Sequence, residues 1–138
     1  MTRPDTARRA RWAAAPVATP VAALIDVVLV LTFAAIGRGS HGESVLGGLA
    51  GTAWPFLLGL LVGWVGAGLG ARGAFAPTRL VPAGVLIWIG TLVVGMLARV
   101  VSGQGTAISF IIVAGIVLAV FLLGWRAAVA AWARRRRS

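Results

Sequence analysis

The chain has no cysteine, no lysine and no tyrosine, one histidine and only three acidic residues. Without cysteine there are no disulfides and no thiolate metal sites. A lone histidine, His41, cannot supply the three or four ligands of a protein-bound zinc. It also serves haem poorly, because it falls in a connection and the other soft donors are Met1 and Met96. No serine or cysteine nucleophile is set with His41 and an acid as a triad requires. The sequence reads as non-enzymatic, with no cofactor and no metal.

What remains is apolar. Of 138 residues, 59% are hydrophobic and 12% charged, and the mean hydropathy is +0.96. One small domain cannot hide that much apolar surface from water, so its solvent is lipid. All 13 basic residues are arginine, giving a formal net charge of +10. In a soluble protein this would suggest nucleic acid. Here Arg3, Arg8, Arg9 and Arg11 precede the first apolar run and Arg134, Arg135, Arg136 and Arg137 follow the last. Basic residues so placed orient membrane spans and meet anionic headgroups. Nucleic acid is not expected as a partner.

Four apolar runs fit spanning helices at 16–37, 45–70, 80–98 and 107–133. They lie between an Arg-rich tail at 1–15 and a basic terminus at 134–138. Each approaches or exceeds the roughly 20 residues that cross about 30 Å of hydrocarbon. Backbone groups in lipid must pair internally, so the spans are helical. The fold class is all-α: a polytopic membrane protein with four antiparallel helices in an up-down-up-down bundle joined by short connections. Gly39 is expected to cap the first helix, Ser44, Thr78 and Thr106 to start the others, and Pro82 to sit in a first turn. Eleven arginines fall on the side of the termini against Arg38 and Arg99 on the other. The positive-inside rule then makes both termini cytoplasmic in a bacterial inner membrane. Trp12, Trp125 and Trp132 on the inner side and Trp54 on the outer fit aromatic belts.

Asp26 stands out. It is the sole charge in Val21–Ile36. A carboxylate at a bilayer centre costs about 2.5–3.5 kcal/mol on insertion scales, so it usually faces protein, water or a basic partner. It falls about 15 Å from the inner end of its helix at 1.5 Å per residue. Arg126, short of the terminus of the last helix, is its expected partner, either as a structural pair or as part of a functional site. Trp88, Thr91 and Arg99 share one face of the third helix and would line a polar crevice with that pair. On the bland alternative Thr91 bonds its own helix, Trp88 packs and Arg99 snorkels outward. Arg38, Ser40, His41 and Glu43 form a candidate site at the outer mouth, where Arg99, Ser102, Gln104 and Thr106 of the other connection would cluster with them, or a solvated loop with Glu43 paired to an arginine.

The second span repeats small residues every four positions: Gly47, Gly51, Pro55, Gly59, Gly63 and Ala67. Such a stripe lets helix backbones approach closely. It reads as packing within the bundle or as a homodimer face. Pro55 removes a donor from the carbonyl of Gly51 and should kink the helix.

The run Phe33 to Glu43 (FAAIGRGSHGE), with Trp54-Pro55, Trp88, Gly90-Thr91, Gly95-Met96, Arg99, Gly105-Thr106-Ala107 and Gly124-Trp125-Arg126, resembles domain of unknown function 3054. That family comprises small bacterial membrane proteins. The resemblance covers roughly Ala22 to Arg126. It implies a four-helix inner-membrane protein and supplies no activity. The residues support two expectations: a small-solute or ion transporter or channel working as an oligomer, or a non-catalytic scaffold that binds a partner or lipid. An apolar-cofactor pocket near Trp88 is a weaker third.

Overall fold

The computed structural model describes residues 17–138. Arg3, Arg8, Arg9, Arg11, Trp12 and the expected tail at 1–15 lie outside the described residues. Four long helices follow, with no strand among the described residues: α1 Thr19–Ser40, α2 Val45–Gly70, α3 Val85–Val101 and α4 Ile108–Arg135. Each is long and apolar enough to cross a membrane, α3 together with the turn Leu80–Gly84 that leads into it.

The boundaries differ from the expected ones where a polar side chain or a proline intervenes. α1 runs past Gly39 to Ser40, and α3 runs past Ala98 to Val101, so Arg38 and Arg99 are helical. Their long stems extend beyond the last apolar turns and their heads reach into the connections, so the arginines do not end the helices. Gly39 is therefore not the cap; His41 takes that position at φ −99°. Ser44 does cap α2, its Oγ accepting from the Gly47 amide at 3.2 Å. Thr106 does not cap α4, whose first turn follows Ala107 without a side-chain cap. Nor does Thr78 begin a regular helix: Arg79 is the residue flanking the Leu80–Gly84 turn. Val81 there is extended, at φ −125° and ψ 134°. A residue before proline disfavours the α region, and Pro82 imposes this on Val81. Regular α3 begins only at Val85.

Cross-helix pairs give the register. α1 meets α2 at Asp26–Trp64 and at Arg38–Thr52, so one sequence rises as the other falls. Gly59 lies against Thr91 and Gly95 while Gly63 lies against Ile87, which sets α2 and α3 in opposite directions. Arg99 over Phe110 and Gly84 beside Arg126 do the same for α3 and α4. The connections 41–44 and 102–107 thus share one end, here called the loop end. The other, the tail end, carries Arg134–Arg137.

The core holds Val30, Phe33, Phe56, Leu60, Ile87, Leu118 and Leu122. Phe33 meets Phe56 edge-on at 5.0 Å, and Phe110 stands 6.3 Å beyond. α2 and α3 approach most closely. A Cβ on Gly59 would fall 2.6 Å from Thr91 O, one on Gly63 2.8 Å from Ile87 O, and one on Gly90 2.6 Å from Gly63 Cα. Small residues at such crossings let backbones touch in the absence of a hydrophobic drive between helices. This is the internal-packing alternative for Gly59 and Gly63. Gly51 has nothing within 4 Å, and Gly47 meets only Ser44. Large apolar residues, among them Leu24, Leu46, Leu61, Val65 and Ile116, face outward, as lipid-facing surface does.

Candidate functional site

Two polar groupings occupy opposite halves of the bundle. Near the tail end, α1 supplies Asp26, α2 Trp64 and α4 Trp125 with Arg126. Asp26 and Arg126 are both fully buried. Arg126 Nη1 donates to Asp26 Oδ1 at 2.9 Å and Nη2 to Oδ2 at 2.7 Å, a two-pronged pairing. Trp125 Nε1 donates to Oδ1 at 2.8 Å, and Trp64 Nε1 to Oδ2 at 2.9 Å. Four donors thus fill the roughly four acceptor positions of the carboxylate.

Every nitrogen of the guanidinium is also engaged, through four of its five N–H groups. Nε donates to Pro77 O at 2.8 Å, and Nη1 also reaches Leu122 O at 2.7 Å. Its carbon stands 4.6 Å from the Trp125 ring centroid. The turn before α3 is moulded to this side chain, since a Cβ on Gly84 would fall 2.8 Å from Arg126 Cδ. Asp26 lies about 10 Å along α1 from Thr19 at 1.5 Å per residue. It is thus about a third of the way along the helix rather than midway, because the helix starts at Thr19 and not at Pro16. A fully buried charge pair whose carboxylate is filled and whose guanidinium nitrogens all have partners is closed to a ligand. Its chemistry is that of a buried clamp joining α1, α2, α4 and the 71–84 connection.

Trp88, Thr91 and Arg99 do not join it. Thr91 is fully buried and its hydroxyl donates to Ile87 O, four residues back, at 2.7 Å. Trp88 turns to α4, donating to Gly115 O at 3.0 Å. Arg99 goes to the loop end. The three side chains are therefore spent on α3 itself, on α4 and on the 102–107 connection, and the expected crevice does not form around them.

The loop end holds a cavity of about 320 Å³ lined by Phe33, Gly37, Arg38, His41, Glu43, Thr52, Arg99 and Phe110. Arg38 meets Glu43 Oε2 at 2.8 Å through Nη1, which also donates to Thr52 Oγ1 at 3.0 Å; its Nε donates to Ser44 O at 2.8 Å. The guanidinium crosses Gly48, where any Cβ would collide with it. Arg99 lies over Phe110, its carbon 4.6 Å from the ring centroid, and donates to Gln104 Oε1 at 3.0 Å, Gln104 O at 3.2 Å and Gly105 O at 3.3 Å. Gln104 in turn donates from Nε2 to Gly51 O at 3.2 Å, the carbonyl that Pro55 leaves without its helical partner. His41 Nδ1 lies 2.7 Å from Gly37 O, and Ser40 Oγ donates to the same carbonyl at 2.8 Å. Ser40 is not among the lining residues. Two guanidiniums against one carboxylate give the cavity a positive balance, over an aromatic floor.

A family described as "Protein of unknown function (DUF3054)" matches residues 23–129, most of the chain. The chain belongs to DUF3054. No curated protein and no solved structure matches it. The match spans both groupings, from Asp26 to Arg126, and includes both loop-end connections.

Sequence reasoning missed several partners. Trp64 and Pro77 O at the clamp, and Phe33, Thr52 and Phe110 around the cavity, were not expected there. Trp125, expected in an interfacial belt, turns its N–H to Asp26 instead. Trp132, half exposed with Arg136 stacked 3.9 Å from its ring centroid, keeps a belt-like position. Among the described residues no buried side-chain N or O lacks a partner, and no cluster of three metal-ligating groups occurs.

Proposed function

We propose that this member of DUF3054 is a membrane-embedded binding protein that takes a small oxyanion at its loop-end cavity. The anion is a phosphate or carboxylate, either free or borne on a lipid headgroup. The observation that carries this reading is the pair of guanidiniums, Arg38 and Arg99, opposed by one carboxylate around about 320 Å³ of open space. Arginine presents planar, forked donors to such anions. Phe33 and Phe110 would accommodate the apolar part of an organic ligand.

This favours the binding alternative over conduction through a single copy. The support for transport was Asp26 at mid-depth with Arg99 and His41 toward the outer end and Arg126 toward the inner, and Asp26 is enclosed and neutralised by Arg126. A homodimer face on α2 is correspondingly less supported, since Gly59 and Gly63 are spent inside the bundle. We take the tail end as cytoplasmic from its excess of arginine. The cavity then opens on the outer face of a bacterial inner membrane, and Arg134–Arg137 meet anionic headgroups on the inner side.

The test is a titration of protein purified in a neutral maltoside detergent, with sodium phosphate and with dihexanoylphosphatidic acid. Saturable binding is expected with at least one probe. Phosphate alone marks a free anion; tighter binding of the lipid marks a headgroup. Arg99→Gln should weaken binding about tenfold or more, the scale of one lost charged hydrogen bond. Failure of both probes to bind, or undiminished binding by Arg99→Gln, overturns the reading.

A further inference from the structure

The two loop-end connections are copies of one another, offset by 61 positions. Arg38, Gly42 and Glu43 correspond to Arg99, Gly103 and Gln104. The correspondence extends to atoms. The Glu43 amide donates to Arg38 O at 3.1 Å, and the Gln104 amide to Arg99 O at 2.9 Å. Gly42 donates to Gly39 O at 3.2 Å, and Gly103 to Val100 O at 3.1 Å. Gly42 and Gly103 adopt φ +70° and +71°, where L side chains are strained. Arg38 Nε donates to Ser44 O, and Arg99 Nε to Gly105 O, each six residues on. The helices before them end at Ser40 and Val101, again 61 apart. At the other end of the following helices, Gly63-Trp64 and Gly124-Trp125 keep the offset, and both indoles donate to Asp26. The hairpins α1–α2 and α3–α4 are thus two versions of one unit running in the same direction.

The copies differ at one atom that matters for charge. Nη1 of Arg38 meets Glu43 Oε2 at 2.8 Å. Nη1 of Arg99 meets Gln104 Oε1 at 3.0 Å. The amide fills the carboxylate's place but brings no charge. Arg38 is neutralised within its own hairpin and Arg99 is not.

We infer that the duplicated arginine element is a two-half anion site: the Arg38 half is closed by Glu43, and the Arg99 half is left open by Gln104 to hold the charge of an oxyanion ligand. This rests on the oxyanion reading above and deepens it. Arg99 is the anchor, stacked on Phe110 and oriented by Gln104 and Gly105. Arg38 shapes the loop and the opposite wall. Glu43 shows the chemistry that this geometry accepts, a carboxylate oxygen at Nη1 of the guanidinium. The single Glu/Gln difference then sets how many anions the cavity takes.

The two near-isosteric exchanges that move this charge are the test, in the same phosphate and dihexanoylphosphatidic acid titrations. Gln104→Glu gives Arg99 an internal counter-ion and is expected to weaken binding about tenfold or more. That variant also faces a carboxylate towards Gly51 O, so a folding defect could mimic the loss. Glu43→Gln guards against this, because it should tighten binding about tenfold or raise the stoichiometry from one to two, a gain that misfolding cannot give. Wild-type binding lost in Arg99→Gln but within about twofold of normal, or weaker, in Glu43→Gln overturns the two-half site and leaves the oxyanion reading standing. No saturable binding by the wild type removes both.

Discussion

Arg126→Leu is expected to cost about 3–5 kcal/mol of stability, the largest effect of any single exchange considered. The change leaves Asp26 fully buried with only the two indole donors and no counter-charge. It also strands Pro77 O, which accepts from Arg126 Nε. An isolated carboxylate in a low-dielectric interior is costly unless it takes up a proton. The double variant Asp26→Leu with Arg126→Leu should recover a substantial part of the loss, because apolar replacement of a whole buried pair is often near neutral. Recovery will be incomplete, since Trp64 and Trp125 then lose their acceptor. Unfolding in detergent, followed by tryptophan fluorescence, reads all three proteins and yields the coupling between the two positions. Equal stability of Arg126→Leu and wild type would mean that the pair does not hold the bundle.

The α2–α3 crossing should be nearly as sensitive, and selectively so. Gly63→Val forces atoms into Ile87 O and Cα, and Gly90→Val forces them into Gly63 Cα. Those neighbours are backbone and cannot swing aside. Overpacking of this kind costs about 1–3 kcal/mol, and more where backbones must separate. Gly51→Val, on the same stripe, meets nothing within 4 Å and is expected to stay within about 0.5 kcal/mol of wild type. The same unfolding measurement ranks the three. A Gly51 variant as damaging as the Gly63 one would point to a second copy packed on that face.

These two results concern parts of the structure that were unequally legible from sequence. The number of spans followed from hydropathy, because an apolar run in lipid has no alternative to a helix. The Asp26–Arg126 contact was within reach because each is the sole charge in its apolar run and the two stand at compatible depths. Trp64 was not, since its indole reads as one more apolar residue and its acceptor lies 38 positions away. Gly90 was equally hidden: it belongs to no stripe of its own, and its significance comes from Gly63 on the neighbouring helix. The helix ends moved for a local reason. Hydropathy stops at the first charge, whereas the helices run on through Arg38 and Arg99, whose heads reach forward to Ser44 O and Gly105 O. Val81 shows the opposite case, an apolar residue kept out of the helix by the proline after it.

The loop-end cavity was legible in its polar rim and not in its floor. Arg38, Ser40, His41 and Glu43 were expected to meet Arg99 and Gln104 of the other connection at the outer mouth, but Phe33, Thr52 and Phe110, which complete the lining, were not. The fold brings them together because both connections lie at one end of the bundle. The duplication explains why two distant arginines arrive in matching poses. The Asp26–Arg126 clamp, which has no counterpart in the repeat (Ile87 and Val65 stand at the equivalent positions), joins the two hairpins in a defined pairing. Structure and proposed function thus divide cleanly: the buried charge pair holds the scaffold, and the partly exposed arginines of the cavity are proposed to meet the ligand.

Anomalous diffraction from crystals soaked in selenate, a heavy tetrahedral oxyanion, would test this division most directly. The expected result is a selenium peak in the cavity within hydrogen-bonding reach of the Arg99 guanidinium, and none at Arg126. A cavity without a peak while selenate occupies other sites, or a peak at the Asp26–Arg126 pair, would contradict the account.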